Sequence, residues 1–389
     1  MMDKQKLEEE LIRMRRELHR IPEFDMELPE TAAYIKGKLD ELEIPYRTAA
    51  SGSGVIADIR GGRPGKTVLI RADIDALHVT EETGRPYASE HPGLMHACGH
   101  DAHAAILLTA ARIFMEKREQ LAGTVRLVFQ PGEETGNGAP AMIRDGALQD
   151  ADYALALHVG SLAGSDYEPG CVIIAPGAVS SGFDQFKIRI SGTATHGAYP
   201  EKGVDPIAAA AHLITAYEEL SFRELAAGTR AVIDIGSIHA GTDPNTIPGE
   251  AVLTGCLRSQ SEEVRTFVLS RMAEIGENLT KAFRAGFEFE TKRNAFPVLN
   301  DPELAERAYQ AVQKQLGANV RNAGKGSFMA ADDFGEYSSR VPSLYFFLHT
   351  NDPEKGIDAP NHSPYFDLDE SCLMRGAEAM ITVTEELLK

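Results

Sequence analysis

Four short apolar runs, GVIADI (54–59), TVLIRADI (67–74), TVRLVFQ (124–130) and ALALHV (154–159), alternate with stretches of helical periodicity such as 103–121 and 138–146. Strands that alternate with helices pair through crossover connections, so this order predicts a mixed, largely parallel sheet clad by helices, an α/β fold. Two more helices are predicted ahead of the first strand, over 4–20 and 28–43, the former carrying Leu7, Leu11, Met14 and Leu18 along one face. Near residue 182 the order changes. FKIRISG (186–192), an alanine-rich helix at 204–220, AVIDIGSIHAG (231–241), AVLTGCLRS (251–259), a helix at 261–284 and FEFET (287–291) follow one another as β-α-β-β-α-β, the ferredoxin-like order. After Pro297 a helix at 302–316, the strand SLYFFLHT (343–350) and a helix at 369–388 resume the first pattern. A chain of 389 residues exceeds what one hydrophobic core usually supports. It divides on this reading into an α/β domain of residues 1–181 and 296–389, interrupted by an inserted α+β domain at 182–295.

The charge excludes some roles. A formal net charge of −19 sets most of the surface against a nucleic-acid polyanion. The first twenty residues are densely charged and lack the apolar core of a signal peptide. Apolar stretches such as AILLTAARIF are broken by charge well short of a membrane span. Cys98, Cys171, Cys256 and Cys372 are far apart and form no CxxC pair, so they read as reduced thiols of a cytoplasmic protein. GGRPGKT (61–67) invites comparison with a phosphate-binding loop, but Arg60 stands where the first glycine is needed and a strand follows where a helix is required. A hairpin-type turn is the expected structure there.

Candidate chemistry lies in four places. In MHACGHDAH (95–103), Cys98 and His100 are two apart, and on extended chain residues so spaced face the same way. Gly99 fits an irregular loop better than a helix, and a thiolate with an imidazole favours zinc or another first-row transition metal over magnesium or calcium. In VFQPGEETG (128–136), Glu133 and Glu134 leave an apolar strand through a Pro-Gly turn. Neighbouring side chains on extended chain point apart, so one carboxylate can bind metal while the other faces substrate or water, the division that metal-assisted hydrolysis needs. His158 ends the strand YALALHV, where α/β folds place ligands, and His362 sits in the proline-flanked loop APNHSPYFDLDE. Each alone has a plainer reading: a buried cysteine beside surface histidines, a solvated acidic loop, an edge histidine. Together, mostly just after predicted strands, they form one rim of convergent ligands. Asp73 and Asp75, ending TVLIRADID, would join it as ligands or as carboxylates that orient ligands.

RADIDAL (71–77), MHACGHDAH (95–103), VFQPGEE (128–134), ALHV (156–159), THGAYP (195–200) and NHSPYFDLDE (361–370) together resemble the M20 metallopeptidase family. The nearest likeness is to its amidohydrolase branch, which contains hippurate hydrolase, N-acetyl amino acid deacetylases and plant auxin-conjugate hydrolases. The resemblance spans essentially the whole chain, with the motifs in the right order. It implies a hydrolase acting on linear amides, with an N-acetyl or N-benzoyl amino acid or a related small conjugate as substrate. Two divalent ions per subunit are implied, zinc or manganese in the first place and cobalt or nickel in the second, held by Cys98, His100, Glu134, His158 and His362. Glu133 would be the general base. The inserted domain would be a lid through which two chains form a homodimer. His196 of THGAYP would reach a neighbouring active site and steady the tetrahedral intermediate, and Asn245 and Arg258 would grip the substrate's carboxylate.

The chain departs from the family pattern at His78, where Pro is common, at Gly132, where Ala is usual, and at Asp332, where Glu is more usual and lies near the substrate end. None of these removes a proposed ligand. The alternative enzymatic reading is a dipeptidase or aminopeptidase using the same site. A catalytically silent metal-binding protein is disfavoured, because a closed structural site has no use for a separate base such as Glu133.

Overall fold

A computed structural model describes residues 3–317, 319–322 and 328–389. Two compact units are formed, one from Met1–Val179, Val298–Phe328 and Asp332–Lys389 and the other from Ser180–Pro297 with Met329–Ala331.

The first unit is built on an eight-stranded sheet. Its order is Tyr46–Thr48, Val55–Arg60, Ala122–Gln130, Arg63–Asp73, Tyr153–Gly160, Ser343–His349, Val172–Ile174 and Val320–Asn322. The four middle strands, from Ala122–Gln130 to Ser343–His349, run parallel, and antiparallel pairing is confined to the flanks. Both faces of the middle strands are apolar because both are covered. Side chains alternate between two cores: Val68, Ile70, Leu344, Phe346 and Leu348 enter the larger one, while Leu69, Tyr345 and Phe347 enter the smaller. The larger core is closed by the helices Lys4–His19, Pro29–Glu41, His100–Lys117, Pro302–Leu316 and Leu373–Leu387. Leu7, Leu11, Met14 and Leu18, read from the sequence as one helical face, are all buried in it.

The segment 61–67 is not a hairpin. Val55–Arg60 and Arg63–Asp73 do not pair with each other, because Ala122–Gln130 lies between them, antiparallel to the first and parallel to the second. The intervening strand is buried along most of its length and needs a neighbour on each edge. A Gly-rich turn signals that the chain reverses, but it does not say which strand becomes the neighbour.

In the second unit four antiparallel strands lie in the order Ala231–Ala240, Glu250–Ser259, Gly182–Ser191, Gly286–Ala295, the ferredoxin-like arrangement. The helices Pro206–Arg223 and Glu262–Ala282 cover one face, where Ile188, Ile190, Leu213, Leu253, Val268 and Met272 form the core. Among the described residues, no helix is long and apolar enough to cross a membrane.

Candidate active site

Parallel strands present their carboxyl ends on one side of a sheet, and the candidate ligands of the first unit come from that rim. Strand Arg63–Asp73 runs out into Asp73 and Asp75, strand Ala122–Gln130 into Glu133 and Glu134, and strand Tyr153–Gly160 carries His158 near its end. Cys98 and His100 are brought in differently from the sequence expectation. The helix His100–Lys117 begins at His100 itself, and Gly99 caps it with φ of 87°, in the left-handed region. That reversal, rather than extended chain, turns the two side chains toward one point. Only glycine fits, since a Cβ at residue 99 would also meet Val159 Cγ2 at 2.4 Å.

The donor atoms of Cys98, His100 and His158 all lie within 4.8 Å of one another, and so do those of Cys98, Glu134 and His362, and those of His100, Glu133 and Glu134. Cys98, His100 and Glu134 each belong to two of these sets. His158 Nε2 stands 3.5 Å from Cys98 Sγ, and His362 Nε2 stands 3.5 Å from Glu134 Oε1.

Backbone carbonyls fix the imidazoles. His100 Nδ1 donates to the Asp75 carbonyl at 2.9 Å and His158 Nδ1 to the Val159 carbonyl at 2.7 Å. A carbonyl can only accept, so in each neutral ring Nε2 is left with its lone pair facing the cluster. His100 Nε2 and Glu134 Oε1 are buried there without a hydrogen-bond partner. Unpaired buried lone pairs on nitrogen and oxygen, converging with a thiol, are the donor set that a divalent transition metal satisfies. Asp75 braces the cluster: besides its carbonyl, its Oδ2 accepts from the Glu134 amide at 3.1 Å, and its Oδ1 lies buried 3.4 Å from His100 Nδ1.

The electrostatics point the same way. Burial, followed by the Glu134 carboxylate, pushes the Cys98 thiol well above its usual value. Burial is also the main cause that raises Glu134 to about 7. Burial and then Asp332, Glu134 and Asp333 push Glu133 well above the ordinary carboxylate range. Burial followed by His103 lowers His158 far below 6.5. Cys98, Glu133 and Glu134 are thus disfavoured as anions until a cation joins them, and His158 stays neutral. His100 alone is shifted toward its charged form, against the effect of burial and chiefly by the Asp73 carboxylate.

A family model described as Peptidase family M20/M25/M40 matches residues 69–386. The chain belongs to that family. An N-acetyl-L-cysteine deacetylase from Bacillus subtilis is 36% identical over 382 residues, covering 98% of this chain and 89% of the relative. Thermostable carboxypeptidase 2 from Saccharolobus solfataricus is 33% identical, covering 97% of this chain and 95% of that one. The crystal structure of the Bacillus subtilis YXEP protein, described as a dinuclear metal binding peptidase, superposes with a TM-score of 0.87 at 30% identity, covering 99% of both chains. The M20 protein described here is accordingly a hydrolase of mixed α/β architecture.

Several residues of this M20 site were not singled out from the sequence. His103 is close to the cluster, but both its nitrogens are taken: Nε2 accepts from the Val159 amide at 2.9 Å, and Nδ1 meets Asp73. Asp73 therefore braces His103 and Arg71 rather than offering a free ligand. Arg71 is buried beneath the rim, bonded to Asp73, to Asp333 at 2.7 Å and to Asp332 at 3.2 Å. A lone arginine inside the apolar run VLIRAD was the available signal, because a buried arginine must be paired. Asp332 is fully engaged: Oδ1 also accepts from the Phe334 amide at 2.7 Å and Oδ2 from the Tyr345 hydroxyl at 2.6 Å. On the helix side, Arg15 and His19 reach Asp101, next to His100, at 2.9 and 2.7 Å.

In the second unit, His196 and Asn245 are together. His196 pairs with Thr246 in a two-strand ribbon, and its Nε2 lies 3.2 Å from the Asn245 side-chain amide. The Ala198 amide also donates to His196 Nδ1 at 3.1 Å. Arg258 is not with them. It stands near the far end of strand Glu250–Ser259, its guanidinium 4.7 Å above the Phe183 ring and 3.3 Å from the Met329 carbonyl. Glu250 and Arg258 are eight positions apart, roughly 26 Å of strand, and His196 and Asn245 lie past the Glu250 end, where the chain runs on into the two-strand ribbon.

Proposed function

We propose that this M20 hydrolase is a metal-dependent amidohydrolase that removes the acyl group from N-acyl amino acids or related small conjugates. The observation that carries the reading is the convergence of Cys98, His100, Glu134, His158 and His362, with unpaired lone pairs, beside a second carboxylate, Glu133. The names of the relatives, a deacetylase and a carboxypeptidase, both describe amide cleavage. On this reading the five residues hold two divalent ions; a thiol among imidazoles favours zinc over magnesium, and manganese is the other metal that the family likeness implies. Bound there, such ions polarise an amide carbonyl and lower the pKa of the attacking water. Glu133 takes the proton of that water and returns it to the leaving amine.

His196 and Asn245 are neighbouring donors suited to an oxyanion or carboxylate, and Arg258 is a cation suited to a substrate carboxylate. Arg258 stands roughly 26 Å of strand from Glu250, and the ribbon of His196 and Asn245 continues past that Glu250 end, which disfavours one chain closing both on one small substrate. That supports a homodimer in which His196 and Asn245 of one chain serve the substrate bound by its partner. A cytosolic location is in keeping with the four free cysteines.

Chelator treatment should abolish turnover, and zinc or manganese should restore it. In a panel of N-acetyl amino acids, N-benzoyl amino acids and dipeptides, the acyl amino acids should show the highest kcat/KM. Activity indifferent to chelator would contradict the metal, and a dipeptide at the top of the panel would make the enzyme a dipeptidase. The dimer has its own test. His196→Ala and Glu133→Gln chains, each inactive alone, should regain up to about a quarter of wild-type activity per site when mixed, because half the dimers then carry one intact site. Subunit exchange confirmed by mass with no recovery would place His196 in its own chain's site or in none.

A further inference from the structure

The residue just before His362 has a place of its own in the site. Asn361 donates from Nδ2 to the Cys98 carbonyl at 3.3 Å, and the same amide lies 3.9 Å from Cys98 Sγ. A primary amide has two N–H groups, so one nitrogen can serve both acceptors. The neighbouring backbone is fastened as well: the His362 amide donates to the Ala97 carbonyl at 2.7 Å. Two candidate ligands far apart in sequence, Cys98 and His362, are thus clipped together through Asn361 and its neighbour. The opposite side of the asparagine is closed by Gly160, where any Cβ would fall 2.5 Å from Asn361 Oδ1 and 2.9 Å from Nδ2. The side chain therefore has no room to swing away, and Oδ1 is buried without a partner.

We propose that Asn361 is a positioning residue that holds the Cys98 sulfur toward the metal and donates a hydrogen bond to it. A donor to a ligating thiolate draws electron density from sulfur, weakens its charge donation and fixes its direction, and such outer partners change metal affinity by roughly 10–100-fold. The proposal rests on the reading of Cys98 as a ligand.

The test uses the metal-stripped protein reloaded with Co2+, whose thiolate-to-cobalt charge-transfer absorption reports directly on the sulfur. Asn361→Leu removes the donor at similar size. Asn361→Ser fits wherever asparagine does but is too short to reach the sulfur, so at least one folded variant is secured. The charge-transfer band should move to longer wavelength in the variants, and the Kd for Co2+ should rise by roughly 10–100-fold as the sulfur loses its fixed direction. An unmoved band in folded variants overturns the role of Asn361, whatever happens to affinity or turnover. A wild-type cobalt protein with no thiolate band would instead defeat the reading of Cys98 as a ligand. The two failures are therefore distinguishable.

Discussion

Glu133→Gln is expected to lower kcat by about 10²–10⁴-fold while metal content stays at the wild-type level. The substitution keeps the size and hydrogen-bonding capacity of the side chain and removes only its ability to take a proton. Folding should tolerate it, because Glu133 is already pushed toward its neutral form by burial and by Asp332, Glu134 and Asp333. Glu134 supplies the useful contrast. It belongs to the donor set with Cys98 and His362, so Glu134→Gln should lose metal as well as turnover. Steady-state kinetics paired with elemental analysis separates the two cases. Near-normal turnover in a metal-replete Glu133→Gln protein would show that the proton goes elsewhere.

The second large effect belongs to Cys98. Cys98→Ala should reduce turnover to background and weaken metal binding by more than the roughly 10–100-fold typical of groups outside the coordination sphere. Its thiol is buried and, before metal arrives, protonated, since burial and Glu134 hold its pKa well above the usual range. A cation must expel that proton to gain the thiolate. Adding Zn2+ to metal-free protein at neutral pH should therefore release protons, and Cys98→Ala should release fewer per ion bound. Cys171, Cys256 and Cys372 lie outside every donor set, so their alanine variants should keep both metal and turnover. Unchanged metal content in Cys98→Ala would remove sulfur from the site.

Much of this architecture was readable in advance because its signals are local. Apolar runs of strand length between helical periods fix element type, and the ends of those runs are where Glu133, Glu134 and His158 stand. What was not readable depends on which distant pieces meet. His100 and His103 sit three apart in one motif and look equivalent in sequence. Only packing reveals that His103 spends both nitrogens on Asp73 and Val159, while His100 keeps one free. The approach of Cys98 to His100 was expected from extended chain and arises instead from the left-handed Gly99. The turn at 61–67 was read as a hairpin because nothing in it reports the strand that inserts 60 residues later. Arg258 and Asn245 were expected to grip one carboxylate, yet Asn245 lies before the Glu250 end of the strand and Arg258 near its other end, a separation that spacing in sequence does not convey.

The position of strand Ser343–His349 has a consequence for how the molecule is made. It lies between Tyr153–Gly160 and Val172–Ile174, in the middle of the sheet rather than at its edge. A nascent chain emerging at about 5–20 residues per second must wait roughly 10–40 s after Gly160 before that strand appears. Throughout that interval the apolar strand Tyr153–Gly160 exposes an unpaired edge, the kind of surface that recruits other chains. The ferredoxin-like unit can complete itself on the ribosome in the meantime, since its strands and both its helices come from one continuous stretch. The larger unit closes only when the last helices arrive, and His362, the last of the candidate ligands, arrives with them. The full set of candidate ligands is therefore assembled only late in biogenesis.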